Sequence, residues 1–123
     1  MAKAKQSKER KVSFLHKPSC TSCRKARALL EGEGVELAFR DLDKERLTVE
    51  ELDRLIGKRD YRRFLNFRNE LYRERNMKEK PPSRDEALRL MAETPNLIRR
   101  PVVISGGEII LGFDEEALKK LAD

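Results

Sequence analysis

The chain has 123 residues, enough for one compact domain and too few for two. Charged residues make up 41% of it and aromatics 6%, with no Trp, so a small core lies under a heavily charged surface. Apolar residues still recur in organised stretches, which excludes a disordered composition. No apolar run approaches the roughly 20 residues of a membrane span. The basic opening MAKAKQSKERK has no apolar segment after it, so it reads as a flexible tail over 1–10 and not as a secretory leader. A cytoplasmic protein without membrane contact is expected.

The first element in chain order is KVSFLH, residues 11–16, a short β-prone run that stops at Pro18. Thr21 to Glu31 follows as a helix with Ala26, Leu29 and Leu30 at helical spacing, ended by Gly32 and Gly34. VELAFRDL, residues 35–42, alternates apolar and polar residues as a second strand does. A helix between two strands predicts a parallel pair.

A helical stretch then intervenes, about 45–94. Thr48 and Glu51 have capping-box spacing, and Val49, Leu52, Leu55 and Ile56 mark a helix that Gly57 interrupts. DYRRFLNFRNELYRE predicts two short helices. Ser83 and Glu86 open another helix, with Ala87, Leu88, Leu90 and Met91 on its buried face and Thr94-Pro95 at its end. Net charge is +6, and residues 57–80 hold nine Lys/Arg against four Asp/Glu. That excess is either a solvated face with ion pairs such as Glu70–Arg73 or a surface for an anionic partner.

PVVISGGEIILGF, residues 101–113, is two β-branched runs around Ser105-Gly106-Gly107, a hairpin. DEEALKKL closes the chain with a helix whose acids lead and whose lysines trail, in accord with its dipole. The order β-α-β, helices, β-β-α predicts an α/β fold with one four-stranded mixed sheet, in a single domain over 11–123.

The only two cysteines, Cys20 and Cys23, stand at the start of the first helix. Unpaired N–H groups and the positive dipole end there stabilise an anion, so the Cys20 thiol is expected below its free value. Cys23 lies one turn on, within disulfide reach. Cys20 attacks, and Cys23 resolves the mixed disulfide. Arg24, Lys25 and Arg27 add positive charge. A structural cysteine pair is the alternative. A closed zinc site lacks ligands, because His16 is the sole histidine, itself a strand-end or core residue or a catalytic base. In LIRRPVV, Pro101 is a cis-proline candidate or a plain strand-start proline. Arg99 and Arg100 are rim charges, or one of them faces the thiolate or an oxyanion above it.

SCTSCRKARALLE, FLNFRNELYRE and NLIRRPVVISGGEIILGFDEEAL, in that order, resemble the arsenate reductase (ArsC)/Spx family of the thioredoxin superfamily over roughly residues 11–121. The resemblance implies a thioredoxin-like fold with a helical insertion and a cis-proline at Pro101. Cys20 matches the family's nucleophile, Arg100 the arginine of its R-P motif, and Arg68 an arginine that holds oxyanions. Gly112 stands near where arsenate reductases carry a further arginine. The activity so implied is a CxxC thiol-disulfide oxidoreductase acting on a disulfide, glutathione adduct or oxyanion. Glutathione, glutaredoxin or thioredoxin is its reductant, and there is no bound cofactor. The alternative is an Spx-like redox-switched regulator that binds the RNA polymerase α subunit, with no direct nucleic-acid contact. Gly57 corresponds there to a glycine at the polymerase interface.

Overall fold

The structure, a computed structural model, describes residues 11–123, and the expected basic tail over 1–10 lies outside the described residues. These residues group into two compact units, one of 11–41 with 100–123 and the other of 42–99. The expected helical insertion, about 45–94, falls inside the second.

The first unit holds strands β1 (Val12–His16), β2 (Leu37–Asp41), β3 (Val102–Ser105) and β4 (Glu108–Leu111). They form one sheet in the order β2-β1-β3-β4. β1 and β2 run parallel with Phe14 opposite Phe39, and the other two pairs are antiparallel. The helix α1 (Thr21–Gly32) between β1 and β2 makes the parallel pair possible. Gly106 takes a positive φ of 60° in the turn between β3 and β4, where glycine carries no steric cost. The C-terminal helix, α5 (Glu115–Ala122), completes the unit. Its Asp114 cap accepts the Ala117 N–H at 3.2 Å.

Val12, Phe14, Ala26, Leu30, Val103, Ile110 and Leu118 make the core of this unit. They come from β1, α1, β3, β4 and α5, so one apolar cluster fixes the sheet and both helices. Burying each of the larger side chains contributes roughly 1.5–3 kcal/mol. β2 starts at Leu37, two residues later than its alternating pattern suggests. Val35 instead donates its N–H to the Leu30 carbonyl at 2.9 Å and satisfies the end of α1.

The second unit contains α2 (Val49–Ile56), α3 (Glu70–Glu74) and α4 (Arg84–Glu93). Thr48 and Glu51 form a complete capping box, with reciprocal bonds of 3.1 and 3.0 Å. Arg84, at the start of α4, donates to Asp53 Oδ1 at 2.7 Å and to the Gly57 carbonyl at 3.2 Å, so it ties that start to the end of α2. Of the two short helices expected over 61–74, the first is a single 3-10 turn, Tyr61–Phe64. Its apolar pair, Phe64 and Leu65, is adjacent in sequence and buried, which suits a tight turn entering an extended residue better than an amphipathic helix. The Glu70–Arg73 ion pair is absent among the described residues; Arg75 pairs with Glu86 at 3.2 Å. Sheet order and connectivity together are thioredoxin-like, with a helical insertion between β2 and β3.

Candidate redox site

Cys20 is the N-cap of α1, with extended backbone at φ −79° and ψ 124°. Its N–H donates to the Lys17 carbonyl at 2.9 Å, and its carbonyl accepts the Arg24 N–H at 3.0 Å. The loop KPSC therefore closes into a turn that delivers the sulfur to the open end of the helix. There Cys20 Sγ accepts the Cys23 N–H at 3.4 Å. Serine or asparagine uses an oxygen in the same way at other helix starts. Both cysteines are free thiols; Cys20 is half-buried, and Cys23 is 1% exposed.

The two sulfurs differ in acidity. Burial opposes ionisation of Cys20. Hydrogen bonds from the Cys23 thiol and N–H, with the charge and hydrogen bond of the Arg100 guanidinium, outweigh it and hold the thiol below its ordinary value. Burial pushes Cys23 up to about 12. The Lys17 N–H, aimed at the Cys23 sulfur, acts in the opposite direction, and the neighbouring Cys20 adds to the rise. One thiol is thus prepared to be an anion, and its neighbour holds its proton until a disulfide forms beside it.

Arg100 reaches this sulfur from the segment before β3. The Arg100–Pro101 peptide bond is cis, Pro101 is buried, and its carbonyl accepts the Gly112 N–H at 2.9 Å. Arg100 is therefore anchored to the end of β4 as well as the start of β3. Arg24 is exposed on α1, next to Cys23. Arg27 is engaged elsewhere, since its guanidinium lies 4.5 Å from the Phe39 ring centre and pairs with Glu31 at 3.2 Å. Arg68 and Arg99 belong to the second unit. Arg68 sits in an exposed turn with its guanidinium 5.7 Å from the Phe67 ring, and the Arg99 N–H donates to the Phe64 carbonyl at 2.8 Å.

His16 is buried, with its ring 5.4 Å from Phe14 and 5.2 Å from Phe39. Burial lowers its pKa; Arg27 pushes the same way and Asp41 against. It is a neutral member of an aromatic cluster, the core role expected of a strand-end histidine. Lys17 contributes through its backbone N–H, a role that leaves no side-chain signal in the sequence. Among the described residues no group of three or more His, Cys, Asp or Glu is placed to hold a metal ion, and no helix is long and apolar enough to cross a membrane.

A low-pKa cysteine capping the first helix of this sheet, with a buried partner one turn on, defines a thiol-redox protein of the thioredoxin-like class. Within that class the chain belongs to the ArsC family, which it matches over residues 15–121. It is 30% identical to the regulatory protein MgsR of Bacillus subtilis, over 93% of this chain and 92% of that protein. It is 31% identical to the global transcriptional regulator Spx of Enterococcus faecalis, over 84% and 80% of the two chains. A solved arsenate reductase from Vibrio cholerae superposes with a TM-score of 0.78 at 32% identity, covering 90% of this chain and 97% of that one.

Proposed function

We propose that the protein is a redox-switched transcriptional regulator of the Spx kind, with Cys20 and Cys23 as its sensor and the RNA polymerase α subunit as its partner. The observation that carries this reading is the unequal pair of thiols one helical turn apart, in a chain similar along most of its length to proteins named as regulators. Under oxidising conditions the Cys20 thiolate attacks one sulfur of a small-molecule disulfide and expels the other as a thiolate. Cys23 then gives up its proton, attacks the Cys20 sulfur and releases the second small thiolate. Starting from the Cys20 thiolate, the protein loses two electrons and the Cys23 proton, and the small disulfide takes up the two electrons and leaves as two thiolates. Glutathione, glutaredoxin or thioredoxin restores the dithiol in a cytoplasmic setting.

A thiol-disulfide oxidoreductase is the second reading, favoured by the similarity to the Vibrio cholerae arsenate reductase and by the Arg100 guanidinium against the Cys20 sulfur. With a disulfide as substrate the first step is the same, and the readings part on whether the resulting disulfide is an output or a turnover intermediate; with an oxyanion the Cys20 thiolate instead displaces an oxygen, which leaves as water. The test measures binding of purified α subunit to the dithiol and disulfide forms, beside turnover of arsenate or glutathione disulfide with a coupled reductant. A regulator changes affinity by about tenfold or more between the forms, a coupling of roughly 1.4 kcal/mol, and turns over no faster than Cys20→Ser. Equal binding with Cys20-dependent turnover establishes the oxidoreductase instead.

A further inference from the structure

The second unit contains a cavity of about 310 Å³ that the cysteine chemistry does not use. Its apolar lining is Leu65 and Met77, both buried, the half-buried Tyr72 and the exposed Pro81. Asn76 adopts a positive φ of 52° after α3, and the Met77 N–H donates to the Tyr72 carbonyl at 3.0 Å, so the chain turns Met77 inward. The Tyr61 hydroxyl donates to the Pro82 carbonyl at 2.6 Å, one residue beyond the lining Pro81.

The rim is charged and unbalanced. Arg62 and Asp60 meet through two parallel bonds of 3.0 and 3.1 Å and offset each other. Arg63 and Lys78 are exposed and form no salt bridge among the described residues. A bare inorganic anion would gain nothing from Leu65, Met77 and Pro81. A nucleic-acid strand wants a continuous basic groove with stacking faces, and this is one small concavity with one half-buried tyrosine. Its volume lies at the lower end of ligand pockets, roughly 300–1,000 Å³, and suits one or two side chains. A thioether and a tyrosine ring adapt to aliphatic shapes.

From this juxtaposition we infer that the cavity is a docking site for an acidic segment of a partner protein, which inserts one aliphatic side chain against Leu65, Tyr72 and Met77 and sets carboxylates against Arg63 and Lys78. The inference is independent of whether the cysteine pair serves as switch or catalyst. Complementary charge at the rim speeds encounter, and the apolar anchor supplies the selection.

The test uses the full chain and an array of short peptides, acidic at every position except a central one varied over all side-chain types. Binding is expected to select Leu, Ile or Met at the centre. Labelled methyl NMR with the selected peptide is expected to shift Leu65 and Met77. The double variant Arg63→Glu/Lys78→Glu, both positions exposed, is expected to lose about tenfold or more in affinity with an unchanged circular dichroism spectrum, about 1.4 kcal/mol. The inference is overturned by no selection at the central position, by shifts that leave Leu65 and Met77 unmoved, or by affinity that survives the charge reversal. Tighter binding of a single-stranded oligonucleotide than of any peptide, lost in the same double variant, assigns the surface to nucleic acid and equally overturns it.

Discussion

Limiting iodoacetamide at neutral pH is expected to alkylate Cys20 and spare Cys23. The magnitude follows from the environments of the two sulfurs. Cys23 is pushed up to about 12 from an ordinary value of 9.0, which leaves roughly a thousandfold less thiolate at pH 7 than an ordinary thiol has. A more basic thiolate is a better nucleophile, and a Brønsted coefficient near 0.45 returns about twentyfold of that. The net expectation is alkylation roughly fiftyfold slower than that of an unfolded cysteine. Exposure of only 1% slows it further. Cys20, half-buried and held below its ordinary value, reacts faster than the unfolded control at pH 7. The assay is a time course with mass-spectrometric readout of the peptide carrying both residues, fragmented to separate the sites. Labelling of the two sulfurs within a few-fold of each other, or Cys23 ahead of Cys20, would refute the assignment of nucleophile and resolving thiol.

Three further outcomes are expected. Arg100→Met removes a charge and a hydrogen bond from the Cys20 sulfur, so the alkylation profile of Cys20 moves to higher pH and the reaction at pH 7 slows; an unmoved profile would exclude Arg100 as the stabilising cation. Cys23 keeps its proton to about 12 when folded and loses it near 9 when unfolded, so its contribution to stability is complete below about pH 9 and is lost as pH rises toward 12. Urea titrations across that window should show wild type falling more steeply than Cys23→Ala, and parallel curves would contradict the raised value. Leu118→Ala empties a fully buried position in the core of the first unit and should cost about 2–5 kcal/mol in urea denaturation, with a loss under about 1 kcal/mol placing α5 outside the core.

Much of the fold is legible in the sequence because its signals are local. The Thr48–Glu51 capping box, the Gly106-Gly107 turn and the Ser83 cap each involve residues within a few positions of one another. The position of Cys20 at a helix start is legible for the same reason. The meeting of Arg100 with the Cys20 sulfur is long-range. It depends on β3 pairing beside β1, and spacing alone leaves Arg99 and Arg100 equivalent. The structure separates them: Arg100 faces the sulfur within the first unit, and Arg99 belongs to the second. Arg27 reads as a cation near the thiols, but Phe39 and Glu31 engage it, because a half-exposed aromatic on β2 is invisible until the strand is placed beside α1. The 61–64 segment has helix-forming residues, and tertiary burial of the adjacent Phe64 and Leu65 overrides that preference.

The proposed switch requires Cys20 and Cys23 to close a disulfide with each other. The measurement that tests this most directly is equilibration of the full chain in glutathione buffers of graded ratio, acid quench, thiol labelling and intact mass. Both thiols are expected to disappear together in a two-electron transition, with the chain lighter by two hydrogens and no glutathione retained. A chain that stops with glutathione on Cys20 and a free thiol at Cys23 would contradict it.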